Sequence, residues 1–190
     1  GVSASEWKDD KMGYLERASI WTEMRNRFFE VEQIADPVKL IRQFFLLAMP
    51  DWTCETAIED GQTYFSGILR TIEESPLHND YARRDFRDWN IGRVTDQLAW
   101  NVYLQTPETG GSTRIFNRVW QLDDETHKLK GKMGYDANVV SNTEFATYRP
   151  NVGEILIFRS TNYHQVLPAN DERRRISMGG FVGFIPQNRQ

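Results

Sequence analysis

The feature that constrains this chain most is a change of texture near Gly61. Beyond it, apolar residues come in short aromatic and β-branched runs: TYFSGILRTI, LAWNVYLQ, STRIFNRVW, EILIF and ISMGGFVGF. Such runs are strand formers. Turn clusters part them, at Thr106-Pro107 to Gly110-Gly111, Pro150-Asn151-Val152-Gly153 and Asn170-Asp171. Before Gly61 the period is helical. From Asp9 to Val31, Trp21, Met24, Phe28 and Val31 fall at spacings of three and four, one stripe of a helix. Asp36-Pro37 then reads as an N-cap with proline at the first helical position, opening Val38 to Ala48 with an apolar face of Ile41, Phe44, Phe45 and Ala48, stopped by Pro50. Helices first and short strands after predict an α+β chain whose strands form an antiparallel sandwich or barrel.

At 190 residues the chain is one structural domain. Residues 1–60 read as a helical support region and 61–190 as the core. One connection, residues 121–149, is charged at DDETHKLKGK and then rich in Asn, Ser and Thr. A connection that long in a compact domain suits a lid or insertion loop. The formal charge of -4 argues against a nucleic-acid surface built on bulk electrostatics. The single Cys54 allows no internal disulfide and fits a reducing, cytoplasmic setting. No apolar run approaches the ~18 residues of a membrane span. The six Trp, seven Tyr and eleven Phe suit large packing surfaces or a pocket for an apolar ligand. Oligomeric state is not legible.

The chain holds three histidines. His78 and Asp80 stand two apart in SPLHND, and on an extended strand both could reach one ion. Two ligands do not hold a metal. His127 lies in a charged run that reads as solvated loop, whereas His164 follows EILIF in an uncharged setting before the last strand returns. Two His and one Asp on one face of an ion leave the opposite positions open, the set of non-haem Fe(II) oxygenases. The returning strand adds Arg175 and Ser177, two apart and on one face. Alternation with Ile176 and Met178 turns Arg175 inward, where a guanidinium needs a fixed anion. Tyr103 in WNVYL is a phenol partner for that anion.

These residues, taken in order, resemble the Fe(II)- and 2-oxoglutarate-dependent oxygenases. The likeness covers about Gly61 to Pro186, through HND, VYLQTPETGGSTRIF, YRPNVGEILIF, HQV and RRRISMGGF. It implies a double-stranded β-helix (a jelly-roll, cupin-like core) with the N-terminal helices packed on it. It implies iron on His78, Asp80 and His164, and the far carboxylate of 2-oxoglutarate on Arg175 and Tyr103, with Ser177 and Thr113 beside them. DGQTYFSGILRTIEESPLHND, Asp96-Gln97 and RRISMGGFVGF further resemble a bacterial small-molecule branch containing N-acyl amino acid hydroxylases and carrier-protein-independent alkaloid halogenases. In those halogenases glycine replaces the metal aspartate and opens a position for chloride. Asp80 fills that position here, and chloride would add negative charge to the same iron, so the resemblance speaks for hydroxylation. The chain is short for the branch: either a segment precedes Gly1 or this is a compact variant.

The implied reaction consumes 2-oxoglutarate and O2, releases succinate and CO2, and hydroxylates an unactivated C–H of an amino acid derivative or natural-product intermediate. Desaturation or cyclisation could follow from the same site. Tyr64, Arg83, Arg84 and Asn162 are candidate substrate contacts. A peptidyl or protein hydroxylase would need an open groove, a non-enzymatic metal-binding barrel would release no succinate, and a degenerate interaction module would not keep the triad and its arginine.

Overall fold

The computed structural model describes residues 1–185. Packing divides the chain into two units, Gly1–Leu69 with Arg83–Arg93, and Arg70–Ala82 with the chain from Val94 on.

In the first unit the Asp10 carboxylate accepts the Gly13 N–H at 2.9 Å and starts α1 (Lys11–Val31). The Asp36 carboxylate accepts the Val38 N–H at 2.9 Å, with Pro37 leading α2 (Pro37–Ala48). Both satisfy amides that a helix start leaves without an intrahelical acceptor. The face that α1 buries is not the stripe read from sequence. Tyr14, Leu15 and Ala18 are buried, whereas Met24, Phe28 and Val31 are 54%, 53% and 67% exposed. The cluster that takes the helix is built of Val2, Tyr14, Leu15, Ala18, Tyr64 and Trp89, so only the N-terminal half of α1 finds apolar partners. In α2, Ile41 and Phe45 are buried and Phe44 is exposed. A small hairpin, β1 (Ile58–Glu59) and β2 (Gln62–Thr63), turns through Asp60 and Gly61 at φ 48° and 80°. Asp-Gly suits this positive-φ turn.

The second unit is two antiparallel sheets. One has the order β3 (Ile68–Thr71), β10 (Ile176–Phe184), β5 (Asp96–Gln105), β8 (Ile155–Arg159). The other has the order β4 (Ser75–His78), β9 (Asn162–Val166), β6 (Thr113–Val119), β7 (Phe145–Tyr148). In the first sheet β5 and β10 run together from Ile176 opposite Gln105 to Phe184 opposite Asp96, with one irregularity at Ile176/Ser177. The second sheet is shorter and its register shifts twice, between Ser75 and His78 and between Ile115 and Val119.

Residues opposite one another in an antiparallel pair share a face. His78 stands opposite His164, and His164 opposite Ile115. Their strand neighbours Leu77, Tyr163 and Phe116 therefore point to the other face, where they form a cluster with Tyr135, Val139 and Val140. The apolar residues of the 121–149 connection thus pack behind the histidine strands. Two 3₁₀ turns, Leu122–His127 and Ala137–Val140, order it. Gly134, at φ 105°, lies so near β4 that a Cβ would fall 2.8 Å from the Leu77 carbonyl, and the approach lets the Tyr135 N–H reach that oxygen at 2.8 Å. The free edge of β4 is covered there. Among the described residues no helix is long and apolar enough to cross a membrane.

Candidate active site

His78 is the last residue of β4, His164 is central in β9, and Asp80 follows β4 outside any strand. The His78 and His164 rings are 4.2 Å apart between centroids, and His164 Nε2 is 3.5 Å from Asp80 Oδ2. One ligand atom from each of the three lies within 4.8 Å of the other two, the one such cluster among the described residues.

The tautomers are set by backbone. His78 Nδ1 is 2.8 Å from the Pro76 carbonyl and His164 Nδ1 is 2.9 Å from the Asn162 carbonyl. A carbonyl can only accept, so each Nδ1 carries the proton and each Nε2 lone pair is left for a metal. Burial and the neighbouring His164 push the His78 imidazolium down to about 4, against the pull of Asp80 and the Pro76 carbonyl. That ring is neutral, as a ligand must be, at physiological pH. Burial raises the Asp80 carboxyl, but His164, His78 and Arg70 together outweigh it and hold it down at about 2. Two imidazoles and a carboxylate suit a divalent transition metal with positions left open, and the donor set fits Fe(II).

A second cluster lies along the same strands. Thr113 is two residues from Ile115 on β6, about 7 Å along the strand from the position opposite His164. Arg175 Nη2 donates to Thr113 Oγ1 at 3.3 Å and to the Tyr103 hydroxyl at 3.2 Å, and its guanidinium stands 5.0 Å from the Tyr103 ring centre. Ser177 pairs with Tyr103 in the β10–β5 ladder. All four side chains are buried, with Arg175 at 3% exposure. Among the described residues no carboxylate forms an ion pair with that guanidinium, and its Nε is buried with no hydrogen-bond partner. A buried arginine with a free donor is built for an anion that arrives with a ligand, and a carboxylate fits its fork.

The other sequence candidates fall elsewhere. Tyr64 belongs to the first unit's core, its hydroxyl donated to Glu59. Arg83 is exposed, and Arg84 pairs with Asp85 at 2.8 Å. Asn162 shares the His164 face of β9. Its Nδ2 donates to the Phe116 carbonyl at 2.8 Å, while its Oδ1 is buried without a partner. Sequence reading missed Arg70, whose charge is felt at both His78 and Asp80. Its signal was alternation, since Arg70 shares the half-buried face of β3 with Ile68. Also missed were Ser160 and the side-chain role of Gln97, both buried beside the Asp80 backbone. Neither is a residue type that advertises metal chemistry.

The family model of the carrier-protein-independent halogenase WelO5 matches residues 1–190. The chain is 30% identical, over 98% of its length and 79% of the relative's, to leucinostatins biosynthesis cluster protein S of Purpureocillium lilacinum. It is 30% identical to the L-gamma-glutamyl-L-propargylglycine hydroxylase of Streptantibioticus cattleyicolor, over 65% of this chain and 46% of that one. In structure it resembles an N-substituted L-amino acid dioxygenase from Burkholderia ambifaria, with a TM-score of 0.63, 15% identity, and 96% and 72% of the two chains covered. A structure of such a dioxygenase from the same organism in complex with alpha-KG aligns with a TM-score of 0.53 at 20% identity, over 75% of this chain and 58% of that one. The chain belongs to the carrier-protein-independent halogenase WelO5 family, and with it to the small-molecule branch of the Fe(II)- and 2-oxoglutarate-dependent oxygenases.

Proposed function

We propose that this enzyme hydroxylates an unactivated C–H bond of an amino acid derivative carrying a substituent on nitrogen, with His78, Asp80 and His164 as the iron ligands. The observation that carries this reading is the Asp80 carboxylate beside two imidazoles whose Nε2 atoms are free to coordinate. A halogenating site needs that third protein position for chloride, and a carboxylate there both fills it and repels the anion. The relatives named as acting on an L-gamma-glutamyl amino acid and on N-substituted L-amino acids support the substrate class.

In this reading the two sheets are the facing halves of a double-stranded β-helix. Arg175, with Tyr103, Thr113 and Ser177 around it, binds the far carboxylate of 2-oxoglutarate and so fixes which end of the cosubstrate meets the metal. Bound Fe(II) with 2-oxoglutarate and O2 supplies the oxidising chemistry, in which the cosubstrate leaves as succinate and CO2. The protein's part is position and the exclusion of water. Asn162 offers its buried Oδ1 to a donor on the substrate, an amide N–H being the obvious match. A lid role for the 121–149 connection falls to its exposed residues 128–133, because Tyr135, Val139 and Val140 are committed to the sheet.

The test is a panel of N-acyl and γ-glutamyl amino acids assayed with Fe(II), 2-oxoglutarate and saturating chloride, reading succinate and product mass together. Succinate matched by a product heavier by one oxygen atom supports the reading. Chlorinated product from the unaltered chain, or no succinate with any member, counts against it.

A further inference from the structure

Asp80 is the one member of the metal cluster that no strand holds, and a ligand on a free loop would lose ordering entropy on binding. Its backbone is nonetheless fixed. The Asp80 N–H donates to the Ser160 carbonyl at 2.9 Å, and the Ser160 hydroxyl reaches the Asp80 carbonyl at 3.2 Å. Ser160 is fully buried in the turn between β8 and β9, four residues before His164. The Ser160 N–H in turn donates to the Gln97 carbonyl at 3.1 Å. Ser160 Oγ stands 3.4 Å from that same carbonyl, but with a single proton it serves the nearer Asp80 oxygen. Beyond Asp80, the Gln97 side chain, 4% exposed, accepts the Ala82 N–H at 3.0 Å through Oε1. Residues 80–82 are therefore stapled at both ends, to the turn that leads into the His164 strand and to the start of β5.

The geometry points to Ser160 and Gln97 as positioning residues that aim the Asp80 carboxylate at the metal. This rests on Asp80 being a ligand, as proposed above. Ser160 couples two ligands through one turn: the hydroxyl that fixes the Asp80 backbone sits on the segment that launches His164. The polar side-chain atoms of both residues bond backbone, of Asp80 and of Ala82, and not a candidate ligand atom, so each acts through the Asp80 main chain.

The experiment measures anaerobic binding of Co(II), by its visible absorption, and of Fe(II) by competition, without any substrate. Ser160→Ala and Gln97→Met are each made in the Asp80 chain and in Asp80→Ala, with circular dichroism and Tm recorded for every variant. Gln97→Met removes the Ala82 acceptor without disturbing the Ser160 turn, should Ser160→Ala fail to fold. Each clamp variant is expected to weaken metal binding on the order of tenfold where Asp80 is present, the usual cost of losing an outer-shell contact. In Asp80→Ala the same variants should change nothing, because the group they aim is gone. Equal losses in both backgrounds, or none with Asp80 present, would overturn the clamp while leaving Asp80 a ligand. If Asp80→Ala by itself leaves metal affinity unaltered, the ligand assignment falls and the clamp with it.

Discussion

In the proposed reading the two sheets of the second unit divide the work, and they are built differently. One carries Tyr103 on β5 and Ser177 on β10, strands of ten and nine residues paired almost without interruption, with Arg175 at their head. The other carries His78 and His164 on strands of four and five residues whose register shifts beside them. A long regular ladder fixes the guanidinium that is proposed to meet a carboxylate. A broken ladder lets two imidazoles and an off-strand carboxylate converge on a point, which evenly spaced strand positions do not do. Thr113 links the halves, on the strand that faces His164 and with its hydroxyl on Arg175.

Substitutions that strike one sheet should spare the function of the other. The largest effect is expected from His164→Ala, which removes a proposed metal ligand. Metal affinity should fall by more than the ~10–100-fold that outer-shell losses cost, measured by anaerobic Fe(II) titration, and 2-oxoglutarate should then bind without a visible chromophore. Next is Arg175→Ala. Removing one partner of a buried charge-assisted contact costs about 2 kcal/mol or more, so the dissociation constant for 2-oxoglutarate should rise at least ~30-fold while Fe(II) binds as before. Tyr103→Phe takes away one hydroxyl and should weaken 2-oxoglutarate by about 1 kcal/mol, again with metal affinity intact. If Arg175→Ala weakened the metal as much as the cosubstrate, the division between the sheets would not hold.

The smallest effect on the site is expected behind the metal strands. Asp124 is 3% exposed and accepts from Arg118 at 2.5 Å, from the Gln121 N–H at 2.9 Å and from the Tyr163 hydroxyl at 3.1 Å. Burial raises its carboxyl, but the Gln121 amide, Arg118 and Tyr163 more than offset this and hold it below the ordinary value. A depressed carboxyl stabilises the fold above its unfolded pKa, about 3.9, and that contribution disappears as pH falls through the lower folded value. Asp124→Asn should therefore lower Tm at neutral pH, and the gap to the unaltered chain should close on acidification below pH ~4. Metal and 2-oxoglutarate affinities should stay within error of the parent chain.

What the sequence made legible follows the same contrast. LAWNVYLQ and ISMGGFVGF are rich in aromatic and branched residues over enough length to identify themselves, and β10 spans Ile176–Phe184 as that motif reads. NYHQV is short and polar, so His164 was legible as a candidate through its setting and not as part of a strand. The Asp36-Pro37 helix start was readable because a cap is local chemistry. The buried face of α1 was not, because Tyr14, Leu15 and Ala18 are inside only by virtue of Tyr64 and Trp89, far along the chain. The residues 121–149 read as a long connection suited to a lid or insertion because their apolar members, Tyr135, Val139 and Val140, are spread among charged and polar neighbours. The sheet face they cover declares itself only when Leu77, Phe116 and Tyr163 are brought together. The side-chain roles of Ser160 and Gln97 were illegible for a similar reason: these side chains hydrogen-bond the backbone of residues 80 and 82, which no spacing encodes.

The most direct test of the central claim is an anaerobic titration of the protein with Fe(II) and then 2-oxoglutarate, recording the weak visible charge-transfer band of a chelated oxoacid. The account predicts a saturable band that is absent in His164→Ala and that reappears in Arg175→Ala only at much higher 2-oxoglutarate. A folded parent chain with no band, or a band that survives His164→Ala, would contradict it.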